Sequence, residues 1–98
     1  MSEFNVCSNS PLRAYANRGE TLKNENSDVV TVDVDPNNPD SWPFAYPDAP
    51  FTIPAKVGST PGIQGVVLVT TPGTYYYATN GCPAGLAADT NPKTVIIS

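Results

Sequence analysis

The chain has 98 residues, which is enough for one domain with a hydrophobic core of its own. Charged residues make up only 14%, and the formal net charge is −4, with five Lys and Arg residues spread along the sequence. Nucleic acids and anionic membrane surfaces bind clustered cations, so we expect neither to be a partner. No apolar run reaches the roughly 18 residues that a membrane-spanning helix needs.

Short apolar runs with a period of two indicate β-strands throughout the chain. In chain order, the expected strands are 4–8, 12–16, 20–25, 28–35, 51–55, 65–71, 74–79 and 93–98. Turns rich in Pro, Gly and Asn separate them, and a single helical turn is expected at 84–89. Strands this short and this closely spaced predict one domain, residues 1–98, folded as an antiparallel Greek-key β-sandwich of about seven to eight strands.

Alternation predicts which aromatic side chains face the core. Tyr75 and Tyr77 should point inward from the strand at 74–79, so Tyr76 should point outward. Residues 65–71 are apolar on both faces, which indicates either a central strand or a strand covered by a partner.

The segment "SWPFAYPDAPFTIP", residues 41–54, combines aromatic residues with four prolines. One interpretation is a long crossover loop that folds its aromatic rings over an open end of the sandwich. The other is a preorganised contact surface, because rings on a stiff backbone lose little entropy when a partner buries them. The candidate contact residues are Trp42, Phe44, Tyr46, Phe51 and Tyr76.

Two cysteines, Cys7 and Cys82, lie far apart in the sequence. A disulfide between them would close a loop worth about 4 kcal/mol in the chain-entropy model. The N-terminus has no basic region and no apolar stretch, so no signal peptide is expected and the protein should be made in the cytosol. Reduced, buried thiols are the default there, and a surface or virion context leaves the disulfide open.

Two motifs resemble the cupredoxins, the family of plastocyanins and related blue-copper proteins. "RGETLKNEN" is similar to the strand that leads to a ligand histidine, and "PGTYYY" is similar to the strand that leads to the ligand cysteine. The resemblance implies a cupredoxin-like sandwich in which the cysteines meet at one end. It places the four copper-ligand positions at Asp28, Thr79, Cys82 and Ala87.

None of these four positions holds the residue that the family needs there. The chain has no histidine, and its one methionine is Met1. A blue-copper centre requires two imidazoles, a thiolate and a weak axial thioether. We therefore expect no copper and no other cofactor.

A second metal hypothesis concerns the loop at 33–40, where oxygen-bearing side chains suit calcium. The candidate ligands are Asp33, Asp35, Asn37, Asn38 and Asp40. The loop is similar to the opening of an EF-hand, but Asn38 stands where glycine belongs and Phe44 where the bidentate glutamate belongs. The simpler interpretation is a polar turn of Asx and Pro residues, which we favour.

Catalysis has little support in the sequence, because the chain lacks the histidine of Ser–His and Cys–His pairs and no apolar pocket for its carboxylates is evident. We expect a non-enzymatic structural protein that acts through protein–protein contacts, without a small-molecule substrate. The specific expectation is a minor capsid or cementing protein of a virus particle, an analogy from fold class. The alternative is a cupredoxin-type electron-transfer or metal-carrying module, or a small binding domain derived from one.

Overall fold

A computed structural model describes residues 3–8, 11–82 and 91–98, and this part of the chain forms two β-sheets around one core. Its strands are β1 (Glu3–Asn5), β2 (Leu12–Ala14), β3 (Gly19–Asn24), β4 (Val30–Val34), β5 (Phe44–Tyr46), β6 (Phe51–Ile53), β7 (Gly62–Leu68), β8 (Gly73–Asn80) and β9 (Lys93–Ile97). The all-β class predicted from the sequence is confirmed. The described residues form nine strands, one more than the highest number predicted.

The strand order is β1-β3-β7-β5 in the first sheet and β2-β9-β8-β4-β6 in the second. Both sheets are mixed, because β1 runs parallel to β3 and β2 runs parallel to β9. The purely antiparallel sandwich predicted from the sequence is wrong in this respect. The chain passes from β1 through β2 in the opposite sheet before it returns as β3, so β1 and β3 point the same way.

The additional strand is β5, which lies inside the segment predicted as a crossover loop. It pairs with β7 at the edge of the first sheet, and β6 pairs with β4 at the edge of the second. Both edges tolerate nearby prolines, since an edge strand has one side free of ladder hydrogen bonds. The segment at 41–54 therefore carries the chain from one sheet to the other as two short strands.

Side chains from both sheets fill the core. Its buried members are Val6, Cys7, Leu12, Ala14, Leu22, Val30, Val32, Phe44, Ile53, Val66, Leu68, Tyr77, Cys82, Val95 and Ile97. Tyr77 is fully buried and Tyr75 packs against the core, as strand alternation predicts. The strand predicted at 65–71 is central in its sheet, with Val66 and Leu68 buried.

The helical turn predicted at 84–89 lies outside the described residues. Within the described ranges, no helix is long and apolar enough to cross a membrane.

Candidate functional site

Cys7 and Cys82 form a disulfide at one end of the sandwich. Cys7 follows β1 and Cys82 follows β8, and their Cα atoms are 5.7 Å apart, within the range that a disulfide spans. Both residues are buried in the core. The pair is thus bridged, and the reduced thiols expected for a cytosolic chain are not what the structure contains. We call this region, with the ends of β3 and β8 and the loops beside them, the disulfide end.

Asn24 organises the loops at the disulfide end from a fully buried position at the end of β3. Its Nδ2 group donates to the carbonyl oxygens of Asp28 at 2.8 Å, Pro54 at 3.1 Å and Ile53 at 3.3 Å. Its Oδ1 atom accepts a hydrogen bond from the backbone N–H of Asn26 at 2.9 Å. One amide thus satisfies backbone groups of both sheets, which would otherwise be costly to bury.

A second asparagine holds the end of β8. The Asn91 Oδ1 atom accepts from the Thr79 backbone N–H at 3.0 Å, and Asn91 Nδ2 donates to the Thr79 carbonyl at 3.0 Å. The Asn91 side chain therefore pairs with Thr79 as a neighbouring strand would. The Thr79 hydroxyl also lies 3.4 Å from the Cys82 sulfur, which links this clamp to the disulfide.

Backbone packing at this end requires a glycine at position 81. Gly81 has a φ of 109°, and a Cβ there would lie 2.3 Å from the carbonyl oxygen of Val29. The turn after β8 therefore lies directly against the start of β4, and only glycine permits that approach.

The structure brings together three of the four positions that the cupredoxin resemblance assigns to copper. Asp28, Thr79 and Cys82 all lie at the disulfide end, and Ala87 lies outside the described residues. Their side chains do not fit the metal: Asp28 is exposed, Thr79 offers a hydroxyl, and the Cys82 sulfur is bonded to Cys7. A disulfide sulfur cannot act as the thiolate that blue copper needs.

The acidic loop at 33–40 is a hydrogen-bonded turn. Asp35 is buried, its carboxylate accepts from Asn38 Nδ2 at 2.7 Å, and its carbonyl accepts from the Asn38 backbone at 2.9 Å. The Asp33 carboxylate accepts from the Val34 backbone N–H. Among the residues that the structure describes, no group of three or more His, Cys, Asp or Glu side chains is placed to hold a metal ion.

The five candidate contact residues separate into different environments. Phe44 is only 4% exposed and belongs to the core, so its prediction as a contact residue is wrong. Trp42 and Phe51 are half-buried and pack edge-to-face against Phe44, with ring centroids 5.2 and 5.9 Å away. Tyr76 is half-buried on the second sheet, and Tyr46 is 60% exposed.

A bulge explains why Phe44 and Tyr46 differ although they are two positions apart. Phe44 pairs with Leu68, but Tyr46 pairs with Val67, so the register shifts by one residue between them. The shift turns Phe44 to the core and Tyr46 to the outer face of the sheet. Trp42 is fixed further by a hydrogen bond from its Nε1 atom to the Pro47 carbonyl at 3.3 Å.

Tyr46 forms part of an uncharged outer surface of the first sheet. Val67 lies beside Tyr46, and Gly65 and Ile63 follow along β7 on the same face. Ile63 is 58% exposed, and neither β5 nor β7 contains a charged residue. We call Tyr46, Ile63, Gly65 and Val67 the β5–β7 face.

The buried titratable groups do not form a catalytic arrangement. Burial raises the pKa of the Tyr77 hydroxyl, which donates to the Val6 carbonyl at 3.1 Å and is fully enclosed by the core. Glu20 is also buried, beside a core cavity of about 10 Å³ whose walls are apolar. A cavity of this size holds at most about one water molecule, so it is no substrate pocket.

Sequence reasoning missed Asn24, Asn91 and Gly65. An asparagine in a turn-rich sequence carries no signal that separates a buried hub from an exposed turn residue. Gly65 did carry a signal, because it interrupts an apolar strand where a β-branched residue is usual.

Comparison of this chain with protein-family models, curated proteins and solved structures found no significant match.

Proposed function

We propose that this chain is a non-enzymatic structural protein that acts through protein–protein contacts, as a minor capsid or cementing protein of a virus particle. The observation that carries the proposal is the β5–β7 face, which is exposed, apolar and uncharged. Large apolar patches on a small domain are typical of surfaces that partners cover. Tyrosine is also among the residues that dominate interface energetics.

The disulfide supports an assembly that lies outside the reducing cytosol. Disulfides persist in oxidising surroundings such as secreted proteins, cell surfaces and virions. A buried disulfide and a low charge also suit a component that must remain folded without a chaperone or a cofactor. These features favour a particle or an extracellular layer over a cytosolic complex.

A cupredoxin-like origin is part of the proposal. The motif "RGETLKNEN" begins just before β3, and "PGTYYY" leads into β8, so the two motifs lie in different sheets. Their C-terminal ends meet at the disulfide end, where the resemblance places the copper ligands. The fold class and this convergence support a sandwich of that type in which a disulfide and amide network replaces the metal centre.

The alternative, electron transfer or metal carriage, has a direct test. The donor set lacks imidazole and its cysteine sulfur is in a disulfide, so added copper should give no intense absorption near about 600 nm, where copper–thiolate bands occur. A stoichiometric blue complex would reject the structural proposal and favour the alternative.

The decisive test of the structural proposal is to locate the protein in its native source. Mass spectrometry of purified particles, secreted material and cytosol should find it enriched in the particles. Tyr46→Ala should reduce incorporation and leave the thermal midpoint unchanged, because the side chain is exposed. Tyr15→Ala is the matched control, since Tyr15 is 61% exposed and lies away from the β5–β7 face. A soluble monomer in the cytosol, indifferent to Tyr46→Ala, would refute the proposal.

A further inference from the structure

Gly65 is a glycine in the middle of β7 for which the fold itself has no need. A Cβ at this position would meet nothing within 4 Å, and the backbone is not in the left-handed region. Glycine weakens a strand interior, and it often marks a place where a ligand or another backbone approaches closely. Since no group of this chain approaches Gly65, the approaching group comes from outside.

The register places a second glycine beside Gly65. Thr21 lies directly opposite Gly65, and Gly19 lies opposite Val67 one row away. Residues opposite one another share a face of the sheet, so Gly19 and Gly65 together leave a shallow notch in it. Ile63 and Val67 border this notch along the strand, and its floor is backbone.

We infer that the β5–β7 face binds a second copy of this chain, with Tyr46 of each copy seated over the notch of the other. Tyr46 pairs with Val67, two residues from Gly65. The spacing of strands and residues places Tyr46 and Gly65 about 8 Å apart on one face. A two-fold axis near Val67 exchanges ring and notch, which makes the surface self-complementary. The inference rests on the proposed function and names one partner for it.

Charge favours a second copy over an unrelated partner at this face. The chain has a net charge of −4, so two copies repel each other unless they meet over an uncharged surface. The β5–β7 face is such a surface, and at its border Lys23 and Glu25 form an ion pair at 3.9 Å that leaves little net charge there. A basic partner would instead be attracted to the acidic loops at 33–40 and 47–50.

The area of the face determines how strong the contact is. Four strands about 4.8 Å apart and about six residues long cover roughly 400 Å². A standard stable interface buries about 800 Å² on each partner, so this face supplies about half. The free protein should therefore associate weakly, and the contact should gain strength only where it repeats within an assembly.

The test is sedimentation velocity of the purified oxidised chain up to about 1 mM, the range that a half-sized interface requires. The wild type should show concentration-dependent dimerisation. Gly65→Val fills the notch and should weaken dimerisation at least about tenfold. The same variant should keep or raise the thermal midpoint, because valine favours strands and has space. Ala78→Val, which adds the same kind of side chain on β8 of the other sheet, is the matched control.

Each outcome decides the inference. Loss of dimerisation with retained stability in Gly65→Val, but not in Ala78→Val, supports it. A wild type that remains monomeric at the highest concentration overturns it, as does a Gly65→Val variant that dimerises normally. If the wild type is monomeric but Tyr46→Ala still reduces incorporation into particles, the proposed function stands and the face binds a different protein.

Discussion

The Cys7–Cys82 disulfide should supply a large part of the stability of this domain. Removing it frees the unfolded chain without removing much surface from the core, so the effect acts mainly on the unfolded state. The perturbation can be made in two ways, by reducing the wild type or by the double substitution Cys7→Ala/Cys82→Ala.

The magnitude follows from the loop that the disulfide closes. With a sequence separation of 75 residues, the chain-entropy expression gives about 15 cal/mol/K, or about 4.5 kcal/mol at 25 °C. Domains of this size have a total stability of about 5–15 kcal/mol. A loss of about 4.5 kcal/mol lowers the thermal midpoint by roughly 20–35 °C and leaves some domains of this size unfolded at body temperature.

The assay is urea denaturation of the oxidised wild type, the reduced wild type and the double-alanine variant, followed by tryptophan fluorescence from Trp42. The two forms without the disulfide should have similar midpoints, both well below that of the oxidised protein. Reductant should not change the double-alanine variant, which is the control for its side effects. If reduction costs less than about 1.5 kcal/mol, the loop-closure reasoning is wrong for this chain.

Three further predictions test individual contacts. Asn24→Ala removes the hub of the disulfide end and should lower the free energy of unfolding by about 2–4 kcal/mol, measured by urea denaturation; a cost below about 1 kcal/mol would contradict its role. Gly62→Ala should destabilise by about 2–3 kcal/mol, because its Cβ would lie 1.8 Å from the Pro54 carbonyl oxygen, whereas Gly65→Ala should be neutral within about 0.5 kcal/mol. Tyr77→Phe should cost about 1 kcal/mol at neutral pH through its lost hydrogen bond. Above about pH 10 it should also abolish part of the alkaline loss of stability, because burial raises the folded-state pKa of Tyr77, and the unfolded state alone releases the proton there. An identical alkaline slope in wild type and Tyr77→Phe would contradict this assignment.

Strand alternation carried most of the fold prediction, because a half-buried strand repeats every two residues whatever its neighbours are. This is why the inward direction of Tyr77 and the central position of β7 could be anticipated. The parallel pairing of β1 with β3 could not, since alternation is the same in parallel and antiparallel strands. Direction depends on which sheet the chain enters next, and no single segment encodes that.

The contact surface was only partly predictable for a related reason. The spacing of Trp42, Phe44 and Tyr46 indicates one shared face, but the bulge between Phe44 and Tyr46 breaks the period of two. One aromatic ring therefore belongs to the core and the other to the outer surface. A bulge depends on the pairing with β7, which lies about twenty residues further along the chain.

The disulfide end shows how a sandwich can keep its shape without a metal. Three loops meet there, after β3, after β8 and before β9, and each contains backbone groups that must be satisfied. In the described part of this region, Asn24 satisfies the first loop, Asn91 holds the last strand against β8, and the disulfide ties the turn after β8 to the N-terminal strand. None of these links needs a ligand or a reduced sulfur. The end of the fold that resembles a copper centre is thus self-sufficient, so the surface left to interact with other molecules is the β5–β7 face on the side of the sandwich.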